Sequence, residues 1–413
     1  MERHSTVILD PDKCKGCTTC MKRCPTEAIR VRNGKASVMY ERCIGCGECV
    51  RLCPHQAKLP SYDPFEIIDK YKYKIALPAP SFYGQFDNMT NVDYVLNALL
   101  EIGFDDVYEV GRGANLCSEL TKILFDRDDM VKPVISTACP AILELISVKY
   151  HDLQPHLLKM LAPVDVAAKL AITRALDRGI KRKDIGVFFI SPCPAKVLAL
   201  KEGIGVDSPY VDGILSASEV YMHLIPALKK VQLKPLSKLN KIGVAWATSG
   251  GEAENCSKQK YLAADGMENV IKILNMLEDG QLNNVEFIEL NACVGGCVGG
   301  VMNVENPFVA KARLRELRRK LPMMSSTLAD EGMDLDFYLW EQAPVFKDIY
   351  SLSMDRVTAM KKMMEIETIL KDLPHIDCGM CGAPSCRAFA EDIVNGVIPR
   401  DSKCREREVN DEA

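Results

Sequence analysis

From about residue 72 the chain alternates short apolar runs with longer stretches of helical period. The runs Lys74–Leu77, Pro133–Thr137, Ile185–Ile190, Lys241–Ala247 and Val285–Leu290 predict strands. Between them, Val92–Ile102, Val164–Arg178 and Ala217–Lys229 carry apolar residues at the spacing of a helix face. Such alternation predicts parallel sheets covered by helices, with ligands held at the carboxyl ends of the strands. Further on, Met354 to Leu373 reads as an amphipathic helix with Val357, Met360, Met364 and Leu370 on one face, and its methionines are expected to pack in a core. Residues 325–350 look irregular and are expected to form a connector. A last helix is predicted over Arg387–Val394.

The 413 residues suggest two or three domains, and 47% apolar with 26% charged residues is an ordinary globular balance. A formal charge of −4 offers no case for nucleic-acid binding. Apolar runs such as Val187 to Ile190 fall far short of the ~18 residues of a membrane helix, and the first residues show no secretory signal. A soluble cytoplasmic protein without nucleic-acid or membrane partners is therefore expected. The 18 cysteines change the picture, because reduced, clustered thiols point to metal or redox chemistry rather than disulfides.

Eight cysteines fall in the first 60 residues. Cys14, Cys17, Cys20 and Cys24-Pro25 repeat 29 residues later as Cys43, Cys46, Cys49 and Cys53-Pro54. Two such runs are the ligand pattern of a two-cluster bacterial ferredoxin, in which the fourth cysteine of each run ligates the other cluster. One [4Fe–4S] cluster is therefore assigned to Cys14, Cys17, Cys20 and Cys53, the other to Cys43, Cys46, Cys49 and Cys24. Residues 1–60 carry 11 Lys and Arg against 6 Asp and Glu, a surplus that offsets two anionic clusters. A tetrathiolate zinc module is the competing reading, disfavoured by the third close cysteine of each run. At the other end, Cys378, Cys381, Cys386 and Cys404 resemble a small four-cysteine iron–sulfur domain of anaerobic redox proteins, with zinc again the alternative.

Four central cysteines, Cys139, Cys193, Cys293 and Cys297, each follow a predicted strand by a few residues. Their segments are Ser136-Thr-Ala-Cys139-Pro140, Ser191-Pro-Cys193-Pro-Ala-Lys196 and Asn291-Ala-Cys293-Val-Gly-Gly-Cys297-Val-Gly-Gly300. They resemble the three H-cluster motifs of [FeFe]-hydrogenases, and Ala79-Pro80-Ser81, Ala247–Gly251 and Asn306–Lys311 agree with the same family. The resemblance implies a two-lobed α/β H-cluster domain over 63–325. It follows an α+β bacterial-type ferredoxin domain over 1–62 and precedes a connector and amphipathic helix over 326–372 and a small helical iron–sulfur domain over 373–413. It implies that the four thiolates hold a further [4Fe–4S] cube, making four in the chain. Cys297 would also bridge to a two-iron subsite with CO, cyanide and dithiolate ligands, which splits H2. Lys196 would bond a cyanide, and Ala79, Pro80 and Ser81 would line the pocket.

The departures from the family pattern are informative. Ala138 stands where active members carry a proton-shuttling cysteine, and a methyl group relays no proton. Ser191 and Asn291 replace methionines beside the two-iron site, Ala199 replaces a glutamate, and Glu119 is the one carboxylate left in the stretch Leu116–Thr121. Cys117 is a candidate substitute carrier, but a plain buried thiol is the favoured reading for it and for Cys256. These changes resemble the sensory (HydS-like) group. The expected function is slow, reversible H2 oxidation and proton reduction, with H2 and protons as substrates. The expected partner is a ferredoxin-like redox protein or a signalling protein, and a homodimer is kept open. The alternatives are a catalytic hydrogenase with another proton route, or an electron carrier lacking the two-iron subsite. No output module follows Cys404 in this sequence, so signalling is expected to need a separate partner.

Overall fold

The computed structural model describes residues 6–87, 89, 91–125, 130–256, 260–323, 327–345 and 349–404. The chain divides into two units. One joins Met1–Leu59 to Phe346–Ala413, and the other is Pro60–Val345. The residues expected as a connector are thus shared: 326–345 belong with the central unit, and the rest belong with the terminal one.

In the terminal unit, strands β1 (Val7–Leu9), β2 (Ile29–Arg32), β3 (Lys35–Val38) and β4 (Lys58–Pro60) form two two-stranded ribbons, β1 with β4 and β2 with β3. The 29-residue repeat is visible in the backbone. Short helices Thr19–Lys22 and Glu48–Arg51 occupy equivalent places, each entered from a left-handed residue, Thr18 or Gly47. The amide of Ala28 donates to Cys24 Sγ at 3.3 Å, and that of Ala57 donates to Cys53 Sγ at 3.2 Å. The same sequence spacing has therefore produced the same local hydrogen bonding twice.

The C-terminal part adds helices Arg356–Lys371 and Cys386–Val394, close to their predicted bounds. The amphipathic reading of the first helix needs correction. Ile366 and Leu370 are buried, whereas Val357, Met360 and Met364 are exposed at 61%, 70% and 67%. The methionines form a second, outward stripe rather than part of a core.

The central unit holds β5 (Tyr73–Pro78), β6 (Asp106–Val107), β7 (Val134–Ile135), β8 (Ile185–Ser191), β9 (Gly213–Ser216), β10 (Tyr261–Asp265) and β11 (Phe287–Asn291). One parallel sheet has the order β6-β5-β8-β9, and a second has β10-β11-β7. Every residue of β8 is buried, as expected of a strand covered by helices on both faces. The helices Asp93–Glu101, Pro163–Asp177 and Ala217–Leu228 lie where periodicity put them.

The predicted strand at Lys241–Ala247 is instead a helix, Lys241–Ala245. The Asn240 side chain caps it by accepting from Gly243 N at 2.7 Å. Gly243 lies directly against Gly111 of the helix Val110–Phe125, where a Cβ would fall 2.0 Å from the Gly111 oxygen. Residues 328–340 strap this unit's core: Tyr338 is fully buried, and its carbonyl accepts from Leu161 N at 2.9 Å. Among the described residues no helix is long and apolar enough to cross a membrane.

Candidate active site

Parallel topology brings the four central thiols to the carboxyl ends of three strands. Cys139 follows β7 and Cys193 follows β8. Each precedes a helix, Pro140–Lys149 or Pro194–Glu202, with proline at its first position, where the missing N–H costs nothing. Cys293 and Cys297 lie in the loop after β11. That loop is clamped by the segment 247–249: Ser249 N donates to Gly295 O at 3.0 Å, and Val298 N donates to Ala247 O at 3.1 Å. Gly296 has φ 91°, and a Cβ there would lie 2.4 Å from Ser249 N, so only glycine lets the cysteine loop close.

Lys196 stands among these thiols, with Nζ 3.8 Å from Cys297 Sγ. Burial disfavours its charge, but Cys297, Cys193, Cys139 and Cys293, in that order, outweigh burial and hold its pKa above the usual lysine value. One ammonium is thus within electrostatic reach of all four sulfurs. Burial raises the Cys297 thiol to about 11, against the pull of Lys196. A metal cluster removes this penalty, because its cations stabilise the thiolates.

The adjoining pocket, about 60 Å³, is lined by Ala79, Pro80, Ser81, Ala138, Cys139, Lys196, Asn291 and Cys297, together with Trp246, Glu252, Glu289 and apolar side chains. Most of the pocket-lining residues expected from sequence therefore meet here. Ser81 Oγ is buried without a hydrogen-bond partner, which costs free energy unless a polar ligand accepts from it. An orphan hydroxyl and a buried ammonium facing one pocket fit an anionic, hydrogen-bond-accepting group such as the two-iron subsite.

Two site residues were missed from sequence. Glu252 accepts from Ser136 Oγ at 2.7 and 2.6 Å, and Ala138 N donates to the same hydroxyl at 3.2 Å. Glu289, in β11, accepts from Gly250 N, Ala253 N and Asn291 Nδ2 at 3.0, 2.8 and 2.8 Å. Both carboxyls are buried, and burial raises both pKa values. At Glu252 the neighbouring Glu289 adds to the rise, opposed by Ser136 and Lys196. The pair therefore favours holding a proton beside Ala138. Their signals were faint: a single glutamate in an apolar strand, and another after Ser-Gly-Gly.

Other expected residues lie off the pocket. Ser191 turns the Cys193 loop, its Oγ donating to Cys193 O at 3.0 Å. Glu119 accepts from Leu328 N at 2.9 Å. Cys117 is fully buried, its Sγ 3.8 Å from Leu161 O, and Cys256 is buried in the same core.

In the terminal unit, one small cavity is lined by Cys14, Cys17, Cys20 and Cys53, and another by Cys24, Cys43, Cys46 and Cys49. These are the two groupings expected from the repeat. Lys58, unremarked in the sequence, is buried against the first cavity, and its Nζ has no hydrogen-bond partner. Burial raises the Cys20 and Cys49 thiols and Lys58 opposes that rise; at Cys53 burial is outweighed by backbone hydrogen bonds and by Lys58, and the thiol lies below its usual value. An unpaired buried ammonium against one thiol-lined void, within electrostatic reach of Cys49 of the other, fits a pair of anionic clusters. In the C-terminal segment, burial raises the Cys381 thiol, with Cys404 and Cys378 adding to the rise, and Cys386 shares a small core with Cys381 and Cys404.

Comparison with known proteins agrees with this geometry. The model of the iron only hydrogenase large subunit, C-terminal domain, matches residues 72–259 and 222–301, together more than half of the chain. A 4Fe-4S dicluster domain matches residues 6–54, and the FeS family matches residues 373–404. The periplasmic [Fe] hydrogenase large subunit of Nitratidesulfovibrio vulgaris is 30% identical over 211 residues, which are 46% of this chain and 50% of the relative. The chain thus spans about half the length of that curated relative. A variant of [FeFe]-hydrogenase HydA1 from Chlamydomonas reinhardtii shares the fold with a TM-score of 0.51 at 16% identity, over 67% of this chain and 95% of that one. Thiols at three strand ends, a lysine among them and a family match spanning all four cysteines lead to one conclusion: the chain belongs to the iron-only hydrogenase family.

Proposed function

We propose that this chain is a slow, sensory [FeFe]-hydrogenase, interconverting H2 with protons and electrons and passing the electrons through [4Fe–4S] clusters to a redox or signalling partner. Cys139, Cys193, Cys293 and Cys297 are the residues that would hold the cube, and Lys196, Ser81 and Asn291, which line the adjoining pocket, would face the two-iron subsite. When bound, that cofactor supplies the heterolytic cleavage of H2.

The chain's own residues set the proton supply. Ala138 has no group to carry a proton from the pocket. The carboxyls lining the pocket are Glu252 and Glu289, with the Ser136 hydroxyl between Glu252 and the Ala138 backbone. Proton movement past Ala138 thus lacks the positioned side chain that acid–base catalysis needs, which supports slow turnover. Lys196 keeps its charge beside Cys297 and orients anionic ligands there. The observation that carries the reading is the lysine among four thiols with alanine at the shuttle position.

The test is infrared spectroscopy of maturated protein, followed by assays of H2 oxidation and evolution. CO and cyanide bands with low turnover are expected. Absence of the bands after verified maturation would leave an iron–sulfur electron carrier. Turnover matching efficient hydrogenases would remove the sensory reading and make the glutamate pair a full proton route.

A further inference from the structure

The terminal unit is assembled from segments more than 300 residues apart, and their junction is specific. Arg30 of β2 reaches Asp392 through Nε at 2.7 Å and NH2 at 3.1 Å, and both side chains are only 3% exposed. Arg32 NH2 donates to the same Oδ2 oxygen that Arg30 Nε meets. A bidentate pair buried this well holds two surfaces in one geometry, and removing one partner strands the other charge.

Between the two arginines, Val31 N donates to Gly382 O at 2.9 Å. Gly382 has φ 80°, and a Cβ there would lie 1.9 Å from Val31 O, so backbone touches backbone. Lys22 Nζ donates to Pro384 O at 3.0 Å. The loop carrying Cys378, Cys381 and Cys386 is thus the surface that meets the ferredoxin segment.

Val31 also lines the cavity of Cys14, Cys17, Cys20 and Cys53. From Cys381 the path to that cavity is one peptide bond to Gly382, one hydrogen bond and one valine. The other ferredoxin cavity is approached at Thr26, whose carbonyl accepts from Tyr350 Oη at 3.0 Å, and beside Cys43, where Arg42 pairs with Glu391 at 3.7 Å.

We propose that the C-terminal domain is a docked electron port of the ferredoxin segment, exchanging electrons with the cluster of Cys14, Cys17, Cys20 and Cys53 across the Gly382–Val31 contact. This rests on the reading that both sites hold clusters. The step moves one electron: the C-terminal cluster is oxidised as its neighbour is reduced, or the reverse, with no bond made or broken and no proton moved. H2 and the partner are the terminal donor and acceptor.

The test uses the full chain, with Cys381→Ser, Arg30→Met and the double variant Arg30→Met/Asp392→Leu. Iron and sulfide are counted first. Wild-type protein lacking a C-terminal cluster overturns the cluster reading itself, whereas the remaining measurements address the port. At full cluster content, the Val31 amide should exchange slowly in wild type, about tenfold or more faster in Arg30→Met, and slowly again in the double variant. Electron paramagnetic resonance of reduced wild type should show magnetic coupling of the C-terminal cluster, beyond the coupling within the ferredoxin pair, and this added coupling should be lost in both Cys381→Ser and Arg30→Met. Fast exchange at Val31, or a magnetically isolated C-terminal cluster in fully loaded wild type, would overturn the proposal.

Discussion

Lys58 and Asp165 show how single buried charges make measurable demands. Lys58 Nζ has no protein partner and faces the thiols of the first ferredoxin cavity. Its charge favours the more negative, reduced state of a nearby cluster. Lys58→Met should therefore shift the lower-lying signals of a redox titration to more negative potential while the iron content stays constant. Asp165 is pushed up to about 7 by burial, reinforced by Glu341 and opposed by Lys169. A carboxyl whose folded pKa lies above its unfolded value is neutral at no cost below about pH 4. Its ionisation penalty grows as pH rises through that range and levels off above about 7. Asp165→Asn should thus raise the thermal midpoint at pH 8, by up to about 4 kcal/mol of stability, and less at pH 6. A gain independent of pH would contradict the burial account.

At this scale the sequence was generous to cysteines and mute about their neighbours. Ligand spacing is local, so Cys14 to Cys53 could be grouped by inspection. Glu252 and Glu289 come together only after two strands and a helix have folded, and no local spacing records that. Glu119 was singled out by position along the chain, yet its carboxylate is spent on the Leu328 amide.

Among elements, the segment 241–247 shows where periodicity runs out. A short apolar run suits a buried strand or a buried helix equally. What decides is a cap and a close approach: Asn240 supplies the first, and the Gly111–Gly243 crossing supplies the second. Gly243→Ala should raise local helix propensity yet destabilise the central unit by about 1–3 kcal/mol or more, because the methyl overlaps the Gly111 carbonyl. Thermal unfolding measures the sign, and a stabilised variant would mean the two helices separate freely. The helix Arg356–Lys371 was placed correctly but faced wrongly. Its sequence carries two apolar stripes, and only the one through Ile366 and Leu370 found a core.

For the whole molecule, the two units should differ in their dependence on iron. The central unit has an extensive apolar core, whereas the ferredoxin segment has small ones: one described cluster has seven buried residues, two of them the proposed cluster ligands Cys14 and Cys20. Small cores of this kind draw folding free energy from their metal. Stripping iron should release amide protection throughout residues 6–59 while β5 and β8 remain protected. Equal loss in both units would show the central fold to be equally metal-dependent. The division into parallel-sheet and cluster-bearing regions was legible from alternation and cysteine spacing. The joining of the two chain ends was not, since Arg30 and Asp392 lie 362 residues apart.

That junction also sets an order of events during synthesis. Arg30 leaves the ribosome 362 residues ahead of Asp392, the carboxylate that neutralises it. Until Asp392 follows, the newborn ferredoxin segment exposes the backbone edge at Val31 and carries an uncompensated cation. Translation pausing in the central region would lengthen that interval, making the nascent cluster-binding segment a natural client for chaperones and iron–sulfur assembly factors.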